Sequence, residues 1–137
     1  MPTTANSTAY ISNEMSACLK RFWGYTQFRP WQAETILAIL DERETLTILP
    51  TGGGKSLCFQ LPALLKGGMA VVISPLISLM KDQVDGLKDM GIPAECLNSS
   101  QPASLQRKVI DRIRILQQLV GGLLWEHNML RYGYLNS

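Results

Sequence analysis

Residues 49–56 read Leu49-Pro50-Thr51-Gly52-Gly53-Gly54-Lys55-Ser56, and this glycine-rich stretch decides the fold. The β-rich run 45–49 precedes it, and an apolar helical run, 57–61, follows it. Glycines let the backbone curl so that several N–H groups point at one place, which the positive end of the next helix also faces. A strand, a glycine loop, a Lys-Ser pair and a helix in this order predict a phosphate-binding loop. The alternative is an ordinary glycine turn with a solvated lysine.

The loop assigns a role to each of its side chains. Lys55 can reach the β- and γ-phosphates of a nucleoside triphosphate and stabilise their charge, and the Ser56 hydroxyl can bind the magnesium ion. Leu49 stands where the strict pattern has glycine, and a bulkier residue there is typical of helicase-like motors rather than small kinases. The predicted nucleotide contacts of the loop are Thr51, Gly52, Gly53, Gly54, Lys55 and Ser56.

Length and composition limit the class of protein. The chain has 137 residues, of which 46% are apolar and 18% charged, so it is globular and forms one domain at most. The three cysteines, at positions 18, 58 and 96, form no CxxC pair, and there is one histidine. This argues against a structural zinc site and for a reducing compartment. Cys58 is most simply a small buried residue of the helix after the loop.

No targeting or membrane segment is evident in the sequence. Residues 1–13 are polar and read as a flexible leader. The longest apolar stretch, 69–80, contains Pro75 and is shorter than the ~20 residues of a membrane span. We therefore expect a soluble protein, cytoplasmic (nucleoid) or nuclear, that is neither secreted nor membrane-bound.

The formal charge of +2 is unevenly distributed. Residues 1–100 carry eight basic and nine acidic side chains, whereas residues 101–137 carry five and two. The basic excess is mainly in Arg107, Lys108, Arg112 and Arg114. We prefer the solvated face of a helix to a phosphate-contacting stripe as its explanation.

Helices and strands alternate along the predicted chain. Helices are predicted over 14–22, 30–41, 55–65, 77–90 and 103–120, and strands over 45–49, 70–73 and 94–97. Pro62 should kink or end the third helix, and Gly91 should cap the fourth. The alternation predicts an α/β fold with a mainly parallel sheet in three layers. Residues 123–137 show no clear period and stay unassigned.

An aromatic block precedes the phosphate loop: Gly24-Tyr25-Thr26-Gln27-Phe28-Arg29-Pro30-Trp31-Gln32. The glutamine amide of Gln32 can donate and accept at once, as the N6/N7 edge of adenine requires. Tyr25 offers a face on which the base can stack, and Arg29 can brace the base or a phosphate. About twenty residues before a phosphate loop, the block predicts an adenine pocket.

A third block, residues 73–84, starts where the second predicted strand ends. Ligands bind at that edge of open α/β sheets. Ser74, free backbone N–H groups and Lys81 can hold a nucleic-acid phosphate there. Alternatively, the block is only a helix start with Ser74 or Ser78 as its cap.

Together the three blocks resemble the N-terminal part of RecQ-type DNA helicases. The resemblance covers about residues 16 to 100 closely and 101 to 120 loosely. It rests on Gly24-Tyr25 with Phe28-Arg29-Pro30 and Gln32, on Pro50 to Leu64, on Ser74-Pro75-Leu76-Ile77-Ser78-Leu79-Met80-Lys81-Asp82-Gln83, and on Cys96-Leu97-Asn98-Ser99.

The resemblance implies an ATP-driven motor that unwinds DNA in the 3′-to-5′ direction, in replication, recombination or repair, with two RecA-like lobes sandwiching ATP. It implies that Tyr25 stacks on adenine while Arg29 and Gln32 contact it. It further implies that the third block lies along the translocated strand. The nucleic-acid contacts so implied are Ser74, Pro75, Ser78, Lys81 and Asn98. The chain then corresponds to part of the first lobe, residues 14–122.

The sequence departs from the RecQ pattern at several points. Trp31 stands where the family usually has glycine, which puts the local shape of the adenine loop in question. The Asp-Glu-x-His box that binds magnesium and activates water does not occur, nor does the second lobe with its arginine finger. The unusual stretch after Gly122 suggests a premature end or a frame change in the coding sequence. We therefore expect nucleotide binding without autonomous unwinding.

Three other classes stay open at this point. An inert module that binds nucleotide or single-stranded DNA would show no DNA-stimulated hydrolysis. A small kinase is disfavoured by Leu49 and by the upstream glutamine block. A non-functional product with exposed strand edges would aggregate.

Overall fold

A computed structural model describes residues 12–50, 52, 54–67, 69–119 and 129–133. The described residues form five helices and two short strands. These are α1 (Asn13–Trp23), α2 (Gln32–Leu40), α3 (Lys55–Lys66), β1 (Met69–Ile73), α4 (Ile77–Asp89), α5 (Ala103–Leu119) and β2 (Met129–Gly133). The chain divides into two compact units, Met1–Gly67 and Gly68–Ser137. The predicted boundaries of the leader, partial lobe and tail stay a prediction, although Ser12 and Asn13 already belong to the start of α1.

Helix α1 has clear start and stop signals. The Ser12 side chain accepts a hydrogen bond from the Met15 N–H (3.1 Å), which satisfies one of the free donors of the first turn. Gly24 ends the helix with a φ of 73° and donates its N–H to the Lys20 carbonyl. The helix predicted over 14–22 is confirmed, to within one residue at each end.

The core of the first unit lies between α1, α2 and α3. The spacing of Met15, Cys18 and Leu19 puts all three on one side of α1, and they are buried there. They pack with Ile36 of α2 and with Leu57 and Leu61 of α3. This core fixes the start of α3, and with it the end of the phosphate loop.

Helix α3 continues through Pro62 to Lys66. The alternative in which Pro62 ends the helix is therefore wrong. Proline removes one backbone donor, but its ring is fully buried in this unit, and apolar burial offsets the missing hydrogen bond.

The predicted strand 45–49 does not form. The segment has no regular secondary structure, and Leu46 and Ile48 are 79% and 84% exposed. The Thr47 side chain is within hydrogen-bond distance of the Thr35 hydroxyl (3.1 Å). A strand requires a hydrogen-bonded neighbour, and the described part of residues 12–67 contains no second strand.

The second unit contains one parallel strand pair. Strand β1, predicted over 70–73, pairs with β2 in a register that joins Met69 to Met129 and Ile73 to Gly133. Strand β2 falls in the stretch that the sequence left unassigned. Ile73, at the end of β1, is largely exposed.

Helices α4 and α5 match their predicted ranges closely. Gly91 has a φ of 76° after α4, and the Ile92 N–H returns to the Leu87 carbonyl (2.9 Å). Val109 of α5 is buried. The predicted end of α5 at Val120–Gly122 lies outside the described residues.

The predicted three-layer fold is not present in the described part of the chain. Residues 94–97 are a loop rather than a third strand, so helices predominate and the sheet has two strands. Strand pairing depends on partners distant in sequence, whereas helices satisfy their own backbone. Among the described residues, no helix is both long and apolar enough to cross a membrane.

Candidate nucleotide-binding site

The phosphate loop leads directly into α3. Gly52 and Gly54 both have a φ of 79°, a region that glycine reaches without steric cost. Lys55 and Ser56 are the first two residues of α3 and are half-buried. Gly54 provides no side-chain cap, so the first N–H groups of the helix are available to an anion. Thr51 and Gly53, also predicted to contact phosphate, lie outside the described residues.

Gln32 connects the aromatic block to the phosphate loop. Gln32 is buried, with only 3% of its surface exposed. Its Nε2 donates to the Gly54 carbonyl (3.1 Å), and its Oε1 accepts from the Arg29 N–H (2.7 Å). A primary amide has two N–H donors and two acceptor positions. One N–H donor and one acceptor position of the Gln32 amide are therefore not used by these two bonds.

Arg29 makes a second connection to the same loop. Its Nη1 donates to the Gly52 carbonyl. Arg29 and Gln32 thus both bind carbonyl oxygens of the loop, at positions 52 and 54. Neither contact was deduced from the sequence. The spacing of about twenty residues between the blocks was the available signal, but it does not specify which atoms meet.

Close packing around Gly54 explains why the residue before Lys55 is glycine. A Cβ atom at this position would overlap Nε2 of Gln32 and would lie 3.4 Å from its Cδ. The same Cβ would lie 3.6 Å from Cδ of Arg29. A side chain at position 54 would therefore displace the glutamine that holds the loop.

Two aromatic residues of the block, Tyr25 and Trp31, are exposed, whereas Phe28 packs against the core of the first unit. Tyr25 is 56% exposed, so its ring is accessible to a base. Trp31 precedes α2 with a φ of 71° and a ψ of −17°. The loop therefore keeps a conformation that suits glycine, although tryptophan occupies the position.

Cys58 lies one helical turn after the loop. It is buried, as predicted, and its Sγ is 3.7 Å from the Gly54 carbonyl. Burial raises the pKa of the Cys58 thiol to about 11. The thiol is therefore protonated at neutral pH and acts as a small apolar residue.

Four of the five predicted nucleic-acid residues lie just before α4 or in its first turns: Ser74, Pro75, Ser78 and Lys81. The Ser74 hydroxyl accepts from the Leu76 N–H (3.3 Å), so it shapes the turn before α4. Pro75 and Ser78 are exposed. Lys81 bonds Asp85 at 2.9 Å on the helix surface, and this hydrogen bond raises the pKa of Lys81. An exposed pair of this kind is weak and can exchange its partner.

Asn98 uses its side chain within its own loop. Its Oδ1 accepts from the Ser100 N–H (3.0 Å) and hydroxyl (2.6 Å), and its Nδ2 donates to Cys96 Sγ (3.3 Å). The Gln106 amide of α5 donates to the carbonyls of Asn98 and Gln101. The Asn98 side chain thus holds the loop together through bonds to Cys96 and Ser100. We therefore assign the predicted DNA contact to the loop rather than to the Asn98 side chain alone.

Comparisons with known proteins identify similar sequences. Residues 29–128 match the model of the DEAD/DEAH box helicase family. An ATP-dependent DNA helicase RecQ of Synechocystis sp. is 48% identical over 96 residues, which is 70% of this chain and 20% of that protein. The RecQ of Haemophilus influenzae is 52% identical over 95 residues, 69% of this chain and 15% of that protein.

A eukaryotic relative matches over a longer part of the chain. The ATP-dependent DNA helicase hus2/rqh1 of Schizosaccharomyces pombe is 43% identical over 113 residues, covering 80% of this chain and 8% of that protein. The chain therefore spans a fifth or less of the length of these relatives. The resemblance to RecQ-type helicases that the three sequence blocks predicted is confirmed.

Proposed function

Because the chain belongs to the DEAD/DEAH box helicase family, we propose that it binds the triphosphate of ATP at residues 50–56. The observation that carries the proposal is the pair of contacts from Arg29 and Gln32 to the carbonyls of Gly52 and Gly54. Because the aromatic block (residues 24–32) is bound to the phosphate loop, the base and the phosphates of one nucleotide can be held at a single site.

Each end of the nucleotide has its own partners in the proposed site. Lys55 and the free N–H groups at the start of α3 receive the phosphates. The Ser56 hydroxyl binds magnesium together with phosphate oxygens. Tyr25 stacks on the adenine, while the remaining donor and acceptor positions of Gln32 read its edge.

We further propose that the second unit contacts single-stranded DNA. The relatives are DNA helicases by name, and the proposed contacts are Ser74, Pro75, Ser78, Lys81 and the loop of Asn98. Exposure of Pro75 and Ser78 supports their access to a strand. Roles in unwinding, recombination or repair belong to the same proposal for the whole protein.

For this chain alone we propose nucleotide binding without autonomous unwinding. The sequence contains no Asp-Glu-x-His box to hold magnesium and activate water. Phosphoryl transfer depends on such positioning and charge stabilisation, and one such contact contributes about 10²-fold or more to the rate. An inert module that binds nucleotide or single-stranded DNA is the alternative that this observation also favours.

Calorimetric titration with ATP tests the proposal. We expect saturable binding of one ATP per chain, tighter with magnesium than without it. No measurable binding under either condition would refute the site. A parallel assay of ATP hydrolysis should show no increase with single-stranded DNA, and DNA-stimulated turnover by this chain would contradict the binding-only proposal.

The Gln32→Ala variant should lose both selectivity and stability. We expect a smaller preference for ATP over GTP in competition titrations, because the adenine edge loses its amide partner. Removing the two buried hydrogen bonds should also lower the unfolding free energy by about 1–3 kcal/mol. Gln27→Ala, at an exposed glutamine of the same block, is the control and should change neither quantity. An unchanged ATP-to-GTP ratio in Gln32→Ala would rule out base reading by this residue.

A further inference from the structure

Trp31 holds a backbone conformation that bulky residues rarely adopt. Its φ of 71° and ψ of −17° lie in the left-handed region, where Cβ crowds the following carbonyl oxygen. Glycine reaches this region without that crowding. The loop has thus kept a glycine conformation while carrying an indole ring. Strain of this kind persists where the surroundings enforce it, often at ligand-binding positions.

The other strained residue of the described chain has an ordinary explanation. Glu42, with a φ of 59°, follows the end of α2, where a left-handed residue commonly terminates a helix. Its side chain pairs with Lys66 of α3 at 3.0 Å. Trp31 instead precedes its helix, so helix termination does not account for its conformation.

The backbone on both sides of Trp31 is fixed by hydrogen bonds. The Trp31 carbonyl accepts from the Thr35 N–H (3.0 Å), and the Gln32 N–H donates to the Arg29 carbonyl (3.2 Å). The side chains of Arg29 and Gln32 in turn bind the phosphate loop at Gly52 and Gly54. The position that carries the indole is therefore preorganised next to that loop.

The indole ring of Trp31 contributes little to the packing of the described residues. Trp31 is 60% exposed, and its indole N–H donates to no acceptor within the described part of the chain. Consecutive Cα atoms are about 3.8 Å apart, so the residue lies one step from Gln32, whose Nε2 touches the loop. A largely exposed aromatic side chain thus belongs to the residue directly before Gln32, at the site proposed to bind a nucleotide.

We propose that Trp31 is a stacking residue for the base of the nucleotide bound at the phosphate loop. The inference rests on the proposed function and adds a second aromatic face to the one offered by Tyr25. Aromatic stacking on a base needs no particular hydrogen-bond pattern. Trp31 therefore raises affinity for purine nucleoside triphosphates in general, whereas Gln32 discriminates between adenine and guanine.

Two substitutions separate stacking from bulk and strain. Trp31→Phe retains an aromatic face and Trp31→Leu does not, while both keep a bulky side chain at the same strained position. We expect Trp31→Leu to weaken ATP binding about tenfold and Trp31→Phe to stay within about threefold of the original chain. Tripolyphosphate, which has no base, should bind all three proteins equally.

Each result of these titrations decides one question. Equal ATP affinities of Trp31→Leu and Trp31→Phe would overturn the stacking role while leaving the phosphate site intact. If the unmodified chain binds neither ATP nor tripolyphosphate, the proposed function itself is refuted. Circular dichroism of both variants checks that they are folded.

A measurement on the unmodified chain gives an independent answer. Hydroxyl-radical oxidation, read by peptide mass spectrometry, should modify Trp31 readily because it is exposed. Saturating ATP should protect Trp31 and tripolyphosphate should not, with the half-buried Trp23 as an internal reference. Unchanged oxidation in saturating ATP would overturn the proposal, and protection by a single-stranded oligonucleotide alone would assign the ring to DNA instead.

Discussion

The Lys55→Ala variant is expected to bind ATP about a hundredfold more weakly than the unmodified chain. Lys55 is the first residue of α3 and follows the left-handed Gly54, so it lies at the helix start where the phosphates are proposed to bind. Hydrogen bonds to charged groups contribute about 1.5–3 kcal/mol each, and about 2.7 kcal/mol is a hundredfold change in Kd. Titration calorimetry with ATP measures the effect directly.

The matched control is Lys20→Ala. Lys20 is an exposed lysine of α1 in the same unit, so its loss changes the net charge by the same amount without touching the loop. We expect ATP affinity within about twofold of the unmodified chain, since an exposed charge outside the site interacts weakly. Equal effects of the two substitutions would show that the lysine acts only through net charge and that the loop is not the site.

The local parts of this fold were predictable from the sequence. Ser12 and Gly24 mark the ends of α1, Gly91 follows α4, and the glycine-Lys-Ser stretch places the start of α3. All these signals act over a few residues along the chain. That the predicted strand at 45–49 does not form could not be foreseen in this way, because strand formation depends on a neighbour from elsewhere in the sequence.

The candidate site shows the same division between local and distant information. From the sequence, Gln32, Arg29 and Lys55 are predicted to bind nucleotide, since each has suitable chemistry in a suitable block. The sequence did not predict that Gln32 and Arg29 would bond carbonyls of the phosphate loop, because these contacts join residues more than twenty positions apart. Nor did it predict that Trp31 would keep a glycine-like backbone, which became evident only from its φ.

The Gly54→Ala variant should be much less stable than the Gly52→Ala variant, which carries the same substitution two residues earlier. Alanine at either position must adopt a positive φ, which costs about 1 kcal/mol. At position 52 a Cβ meets nothing within 4 Å, whereas at position 54 it overlaps Nε2 of Gln32. Gln32 is buried and holds two hydrogen bonds, so moving it leaves polar groups unsatisfied at a further cost of about 1–3 kcal/mol.

Denaturant unfolding of Gly52→Ala, Gly54→Ala and the double variant Gln32→Ala/Gly54→Ala tests this explanation. We expect Gly52→Ala to lose about 1 kcal/mol and Gly54→Ala about 2–4 kcal/mol. If the overlap with Gln32 is the cause, the cost of Gly54→Ala should fall to about 1 kcal/mol when Gln32 is already alanine, because contacting residues are not additive. Full additivity in the double variant would show that the two residues act independently. Strain alone would then account for glycine at position 54, and the connection between the base-reading block and the phosphate loop would contribute nothing to stability.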